Sequence, residues 1–541
     1  MRQILIFFPE TIVLILAVCL PVVPSWSANN IAPPGINVLY IDTDGDGYGV
    51  ESPAGPDCDD SDPAVHKPAG YSQAQSYIPQ HGNIYYIATD GDNMTGAVNN
   101  PEQPFASASF LESRLQPDDV VVFREGRYNL NLTGALVSHK GRPGHPITFM
   151  AYPGEAPVFE RYDEKRGPNN SVIGGHHVHD LVYDGLITEN AAMGGDFAFA
   201  ERIVIKNCVF RKHLARGFFA MQGLKDWLVT GSTFHDTSMK GTHGMYLGCR
   251  EAVNANIVIR HCLFYRNGRT GFQHNGRVTG LRFEDNIVHS NNLSGISLVN
   301  GVSKSIFCNN LIFNNNKQAV VIQTHHNPGA NEIAYPDNDN LFVNNTFWVG
   351  RENVGIGRRN PELFPCIEFN PARRKSGDEN SRYRGNRFVN NICVTSRGPF
   401  VKYYNIFDHY QTAYVNNLFR QTGKNPQLAV RANKGDGSED SREGQYSFWS
   451  FATAFTGNTI KVSGNLLGNP GFVHVSADDA LHPERFNFKL SSASKAVDRG
   501  MDGPEVPRRD IAGRQRDAHV DIGAYERQKN VRTLSRPVSL P

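Results

Sequence analysis

The chain has 541 residues, with 54 basic and 53 acidic side chains, 40% hydrophobic and 10% aromatic residues. That length allows one large domain or two to four ordinary ones, and the low charge with plentiful aromatics excludes a mainly disordered chain. No run reaches about 18 apolar residues, which excludes a polytopic helical membrane protein. The 49 asparagines, 19 of them from Asn254 to Asn345, argue against a helical bundle, because Asn favours turns and caps over helix interiors.

At the N-terminus Arg2 precedes an apolar run at 12–20, and Ser25-Trp26-Ser27 follows with small residues at the spacing a signal peptidase prefers. Residues 1–27 therefore read as a secretory signal peptide, and the mature chain is expected to be secreted or held at the cell surface, with no transmembrane segment. Beyond Cys19, seven cysteines remain without the spacing of a zinc site or a disulfide framework, so buried free thiols are expected.

Residues 37–66 hold eight acidic groups and no Lys or Arg, which leaves the remainder mildly basic. Asp42, Asp44 and Asp46 stand at alternate positions before Gly47. Oxygen ligands spaced by two with a glycine at the turn are what a calcium loop needs. Pro53 occupies the place where an EF-hand requires Glu, so the stretch is not an EF-hand. It resembles the Asp-rich DxDGDGYG…DCDDxDP repeat of bacterial surface proteins. By that resemblance Asp57, Asp59, Asp60 and Asp62 complete a calcium ligand set with a structural role. A linker is expected over 67–82.

From Tyr85 to about Leu418 a unit recurs: IVIKNCVF, WLVTGSTF, IVIRHCLF, LRFEDNIV, SIFCNNLIF, LFVNNTF, RFVNNICV and AYVNNLF. Aligned on Gly185, Cys208, Ser232, Cys262, Asn286, Asn310, Asn345, Asn391 and Asn417, half of the steps are 23–24 residues and the others are longer by loop-sized amounts. A second run follows in each copy (Gly217-Phe218-Phe219-Ala220, Gly244-Met245-Tyr246-Leu247, Gly271-Phe272-Gln273-His274), with strand-like alternation. About 24 residues with two or three short strands is one rung of a parallel β-helix. The expected fold class is all-β: a right-handed single-stranded parallel β-helix of about twelve coils over 83–465. Asn286, Asn310, Asn345, Asn391 and Asn417 are expected to stack at one corner. A leucine-rich horseshoe fits less well, because its regular Leu spacing is missing.

These units, with the opening YYIATDGDNMTGAVNNPEQPFAS and the first coils DVVVFREGRYNL and PITFMAYPGEAPVF, resemble secreted bacterial right-handed parallel β-helix proteins of the polysaccharide lyase type. The end, FNFKLSSASKAVDRG…RDIAGRQRDAHVDIGAYE, resembles the terminal segment of surface-associated members, so 466–527 is expected to cap the helix or attach it to a surface, with a tail at 528–541. The resemblance covers most of 83–527. It implies an extracellular polysaccharide partner and a monomer. It is specific for fold and weak for activity.

Uronate elimination needs a group that neutralises the carboxylate, a base near the ring proton and an acid for the leaving oxygen. Outward columns of the rungs concentrate such groups. His243, Tyr246, His235, Lys240 and Arg266 form the expected catalytic set, with Gln273, His289, Tyr265, Arg358 and Arg359 for substrate binding. Arg216 falls in the same outward column as His243, and His274 falls in an inward column. The Asp cluster and Lys of pectate lyases and the paired-Asp and Gly-His-Gly motifs of polygalacturonases are missing. No phosphate loop or basic–aromatic surface points to nucleic acid. The expected function is β-elimination or related uronate chemistry on an acidic polysaccharide. The alternatives are a non-catalytic carbohydrate-binding protein and a glycoside hydrolase.

Overall fold

The computed structural model describes residues 78–79, 82–130, 136–163, 167–168, 170–238, 241–324, 335–350, 364–371, 383–396, 398–403, 409–422, 428–432, 444–447, 460–476 and 485–527. The expected signal peptide, the Asp-rich stretch with its seven aspartates, and the C-terminal tail lie outside these residues.

Each repeat makes one coil of three short strands. His179–Asp184 is followed by Ile187–Glu189 and Met193–Ala198, and the next coil begins at Glu201–Lys206. Equivalent strands of successive coils pair in parallel, so the chain winds into three long sheets. The first sheet runs from Ile84–Ile87 to Ile460–Ser463, the second from Arg127–Asn129 to Leu466–Leu467 through twelve strands, and the third from Leu136–Val137 to Leu428–Ala432, with Gly444–Ser447 added antiparallel at its edge. The chain is a parallel β-helix, and the expected number of coils is met.

The centre residue of each second-sheet strand points inward and meets its equivalent one coil away. Phe210, Phe234 and Phe264 stack at 4.9 Å with nearly parallel rings. Phe307, Phe342, Phe388 and Tyr414 form a second inward stack, at 4.6 to 5.0 Å. Ring stacking at the coil repeat lets identical side chains fill equivalent volumes without voids. All six described cysteines are free and buried, as expected.

The corner between the first and second sheets explains the Asn-Asn pairs. The first Asn of each pair takes a left-handed conformation, with φ of 53° at Asn309 and Asn416 and 54° at Asn344 and Asn390. Asn tolerates this region better than other side chains. The second Asn turns inward and makes the expected ladder: Asn286, Asn310, Asn345, Asn391 and Asn417 each donate a side-chain bond to the next, ending at Asn465, at 2.9–3.2 Å.

The outward column of the second sheet changes character along the stack. Glu189 pairs with Arg127 and Arg211, then come His235, Tyr265 and His289, and finally Phe313 and Trp348. The apolar end is covered by the C-terminal segment, whose Phe486 and Phe488 meet Phe313 and Trp348 at 5.0–5.5 Å. The left-handed asparagines dock the same segment. Asn309 donates to the carbonyl of Arg509, Asn344 to Asp521 and Asn390 to Met501. Residues 485–527 thus lie along the side of the helix, across its first and second sheets.

Candidate functional site

The expected catalytic set is divided between two faces of the helix. His243 stands just before the third-sheet strand Met245–Gly248, which carries Tyr246, and Gln273 follows one coil later in register with Tyr246. His235 ends the second-sheet strand Thr233–His235, and Arg266 follows the second-sheet strand Leu263–Tyr265. The expectation that His235 and Arg266 support His243 is therefore corrected. Seven residues separate His235 from His243, but a corner of the coil lies between them, so they belong to different sheets. Lys240, Arg358 and Arg359 lie outside the described residues.

On the second sheet, the side chains expected to act or bind are occupied with one another. Asp236 accepts from His235 Nδ1 at 2.7 Å and from both Nε and Nη2 of Arg266 at 2.7 Å. Burial raises the Asp236 carboxyl, but these bonds overcome it and hold the group well below the usual range. The rings of His235, Tyr265, His289 and Phe313 stack in sequence at 4.6, 5.3 and 4.9 Å, tilted by 3–17°. A sugar stacks on an aromatic face, and the faces of Tyr265 and His289 are already covered by neighbours. The geometry suits a ladder along the outside of the helix better than the sugar-binding role expected for these two residues.

On the third sheet the groups do converge. The rings of His243 and Tyr246 meet edge to face at 5.5 Å. The Arg216 guanidinium lies 4.1 Å from the Phe219 ring centre and 5.4 Å from that of Tyr246. The Tyr246 hydroxyl accepts from Asn275 Nδ2 at 2.9 Å. His243 is 5% exposed and its Nδ1 has no partner. Burial, reinforced by Arg269 and Arg216, pushes its pKa down to about 3, so the imidazole is neutral at ordinary pH. Asp196 is two coils from Tyr246 in the same column, and burial raises its carboxyl against the pull of His176 and Arg216.

Asp196 and Arg216 were absent from the expected catalytic set. Arg216 was visible as an outward neighbour of His243. Asp196 was missed because its strand, Met193–Ala198, begins with Gly194-Gly195 and lacks the apolar alternation of later copies. Counting two past Gly194, as two past Gly217 gives Phe219, would have found it. His274, expected to be a buried, bonded histidine, is 0% exposed and contacts Asn254 Nδ2 through Nε2 at 3.2 Å. Among the described residues no group of three or more His, Cys, Asp or Glu side chains is placed to hold a metal ion.

The third-sheet column also carries Glu368, whose carboxyl is raised by burial against Lys402, Lys317 and Gln318. Six register steps separate Asp196 from Glu368. At about 4.8 Å per coil this is about 29 Å, far beyond the roughly 5–9.5 Å of a glycosidase carboxylate pair.

A family model described as the right handed beta helix region matches residues 167–347. The coil just described is thus right-handed, as expected. No curated protein matches the chain. Among solved structures, a pectate lyase is 13% identical with a TM-score of 0.38, over 85% of this chain and 98% of its own. XylC in complex with xylose is 9% identical with a TM-score of 0.48, over 82% of this chain and 98% of its own. An alginate lyase from Paenibacillus sp. str. FPU-7 is 15% identical with a TM-score of 0.40, over 52% of this chain and 93% of its own. Likenesses at this level leave the chemistry to be argued from the residues. No helix among the described residues is long and apolar enough to cross a membrane.

Proposed function

We propose that this protein acts on an extracellular acidic polysaccharide laid along the third sheet, and that it cleaves the chain by β-elimination. The observation that carries the reading is the meeting of Arg216, His243 and Tyr246 on one outward face. In such a reaction a base takes the proton beside the uronate carboxylate, the C4–C5 double bond forms and the glycosidic oxygen leaves with its electron pair. Arg216 supplies the positive charge that the developing carbanion requires. Tyr246 takes the ring proton as its phenolate, and the phenol so formed returns that proton to the leaving oxygen, with the Tyr246 oxygen oriented by Asn275. His243, neutral and pressed against the Tyr246 ring, orients it, since an imidazole with a pKa of about 3 is a weak base. Hydrolysis is less well supported, because the two carboxylates of the described column stand too far apart.

The Asp-rich stretch would hold calcium as a structural ion, and the N-terminal segment would export the chain. Both readings rest on sequence. A carbohydrate-binding role without catalysis is the second reading, favoured by the deep burial of His243 and the separation of His235 from it.

The test is ultraviolet absorbance of the unsaturated product, with calcium present, on alginate, pectate and glycosaminoglycans. A rise with one polymer that is lost in Tyr246→Phe supports elimination at this site. Binding without any rise supports the second reading, and neither binding nor a rise overturns the proposal.

A further inference from the structure

Asp196 places a carboxyl on the same face that brings Arg216, His243 and Tyr246 together. It is partly exposed and shares the outward column of Phe219 and Tyr246. Its neighbours there carry no side-chain donor. Gly174 precedes it in the column, Phe219 follows it, and Gly194 and Ala198 stand two residues away along its own strand. Among the described residues no hydrogen bond or ion pair reaches the carboxyl, and the charges it feels are those of His176 and Arg216. Arg216 belongs to the next coil, in register with Met193, and is held over the Phe219 ring at 4.1 Å.

An ionised carboxylate accepts hydrogen bonds and gives none. Asp196 is short of donors, and sugar hydroxyls and the N–H of an acetamido group are donors. A uronate carboxylate is not a donor, and beside Asp196 it adds like-charge repulsion. Arg216 has the opposite preference. One coil advances about 4.8 Å, close to the length of one pyranose in an extended chain, so the two groups address neighbouring sugars.

We propose that this face reads a mixed polymer, in which a uronate held by Arg216 adjoins a neutral sugar whose hydroxyl or acetamido hydrogens are taken by Asp196. This rests on the polysaccharide-acting reading of the same face. It narrows the substrate class from acidic polysaccharides in general to those that alternate a uronate with an uncharged sugar. Asp196 is then the residue that rejects a homopolymer of uronates.

The test compares the full chain with Asp196→Asn, which keeps the size and an acceptor oxygen and removes the charge. Kd is read by calorimetry at two ionic strengths on hyaluronate and unsulfated chondroitin, which alternate a uronate with an acetamido sugar, and on polygalacturonate and alginate, in which every sugar is a uronate. The unsubstituted chain should bind an alternating polymer about ten-fold or more tighter than either homopolymer. Asp196→Asn should narrow that ratio about ten-fold by binding the homopolymers tighter, and the gain should shrink as salt rises. Tighter homopolymer binding by the unsubstituted chain, or a ratio unmoved in Asp196→Asn, overturns this inference and leaves the wider reading standing. Failure of the unsubstituted chain to bind any of the four polymers removes the functional reading of the face along with it.

Discussion

Replacing Asn345 with alanine tests whether the inner asparagine ladder holds the coil together. Asn345 is 0% exposed. Its Oδ1 accepts from both the backbone N and the Nδ2 of Asn310 at 2.9 Å. Its Nδ2 donates to the Phe307 carbonyl at 2.8 Å and to Asn391 Oδ1 at 2.9 Å. Two of the four partners keep another bond after truncation: Asn310 Nδ2 retains the Phe283 carbonyl, and Asn391 Oδ1 retains the Asn345 backbone N–H. The Phe307 carbonyl stays in the parallel ladder with Leu341–Val343, so the Asn310 backbone N–H is the group that loses its partner. An orphaned buried group costs about 1–3 kcal/mol, and that is the expected loss. Lys225→Ala, which removes an exposed pair with Glu201, is the control and should cost no more than about 1 kcal/mol. Urea unfolding at unchanged slope reads the difference, and hydrogen exchange at the Asn310 amide reads it locally. A cost under about 1 kcal/mol with undiminished protection at Asn310 would refute the view that the side-chain amides carry this corner.

Other expectations follow from the same geometry. Tyr246→Phe should lower the elimination rate by about 100-fold or more while leaving the melting temperature nearly unchanged, because Tyr246 is partly exposed and its hydroxyl forfeits the bond from Asn275. Arg216→Ala should weaken binding of the anionic polymer and reduce its salt dependence, measured as Kd at two ionic strengths. Asp337 is 0% exposed, and burial raises its carboxyl from 3.8 to about 8, with Oδ2 unpartnered. Its folded pKa lies above the unfolded value, so the folded state holds the extra proton and stability falls as pH rises from about 4 to about 8. Asp337→Asn keeps an acceptor for the Gly301 and Val302 amides and should flatten that fall, seen as melting temperature against pH. Phe488→Ala should cost about 3–5 kcal/mol and expose residues 485–527 to limited proteolysis, because Phe488 anchors the segment against Phe313 and Phe472.

The coil was legible because its period is set by backbone geometry. Each turn must bring an equivalent residue back to the same corner, and the inner corner accepts a side chain that both donates and accepts along the stack. Asn does this best, so Asn286 through Asn417 announced the ladder and its spacing. The outward columns were equally legible, since strand alternation fixes them: Arg211, His235, Tyr265 and His289 stand in line as counted. What the residues did not reveal was which outward columns share a face. His235 and His243 are close in sequence and belong to different sheets, whereas Arg216 and Tyr246 lie a coil apart in sequence and share a cation–π contact. In a coil of three sheets, neighbours across the surface are about 24 residues apart and neighbours along the chain are turned away from each other. A site on such a fold must therefore be read down the columns, one residue per coil. On that reading the third sheet has the features of a functional face. Its face carries the His243 imidazole, whose Nδ1 lacks a partner, and, in the column of Tyr246, a partly exposed carboxyl at Asp196, while His235, Asp236 and Arg266 on the second sheet are bonded to one another. Side chains that have satisfied one another stabilise the helix. Polar groups held together with a partner still missing are the ones left for a substrate to complete.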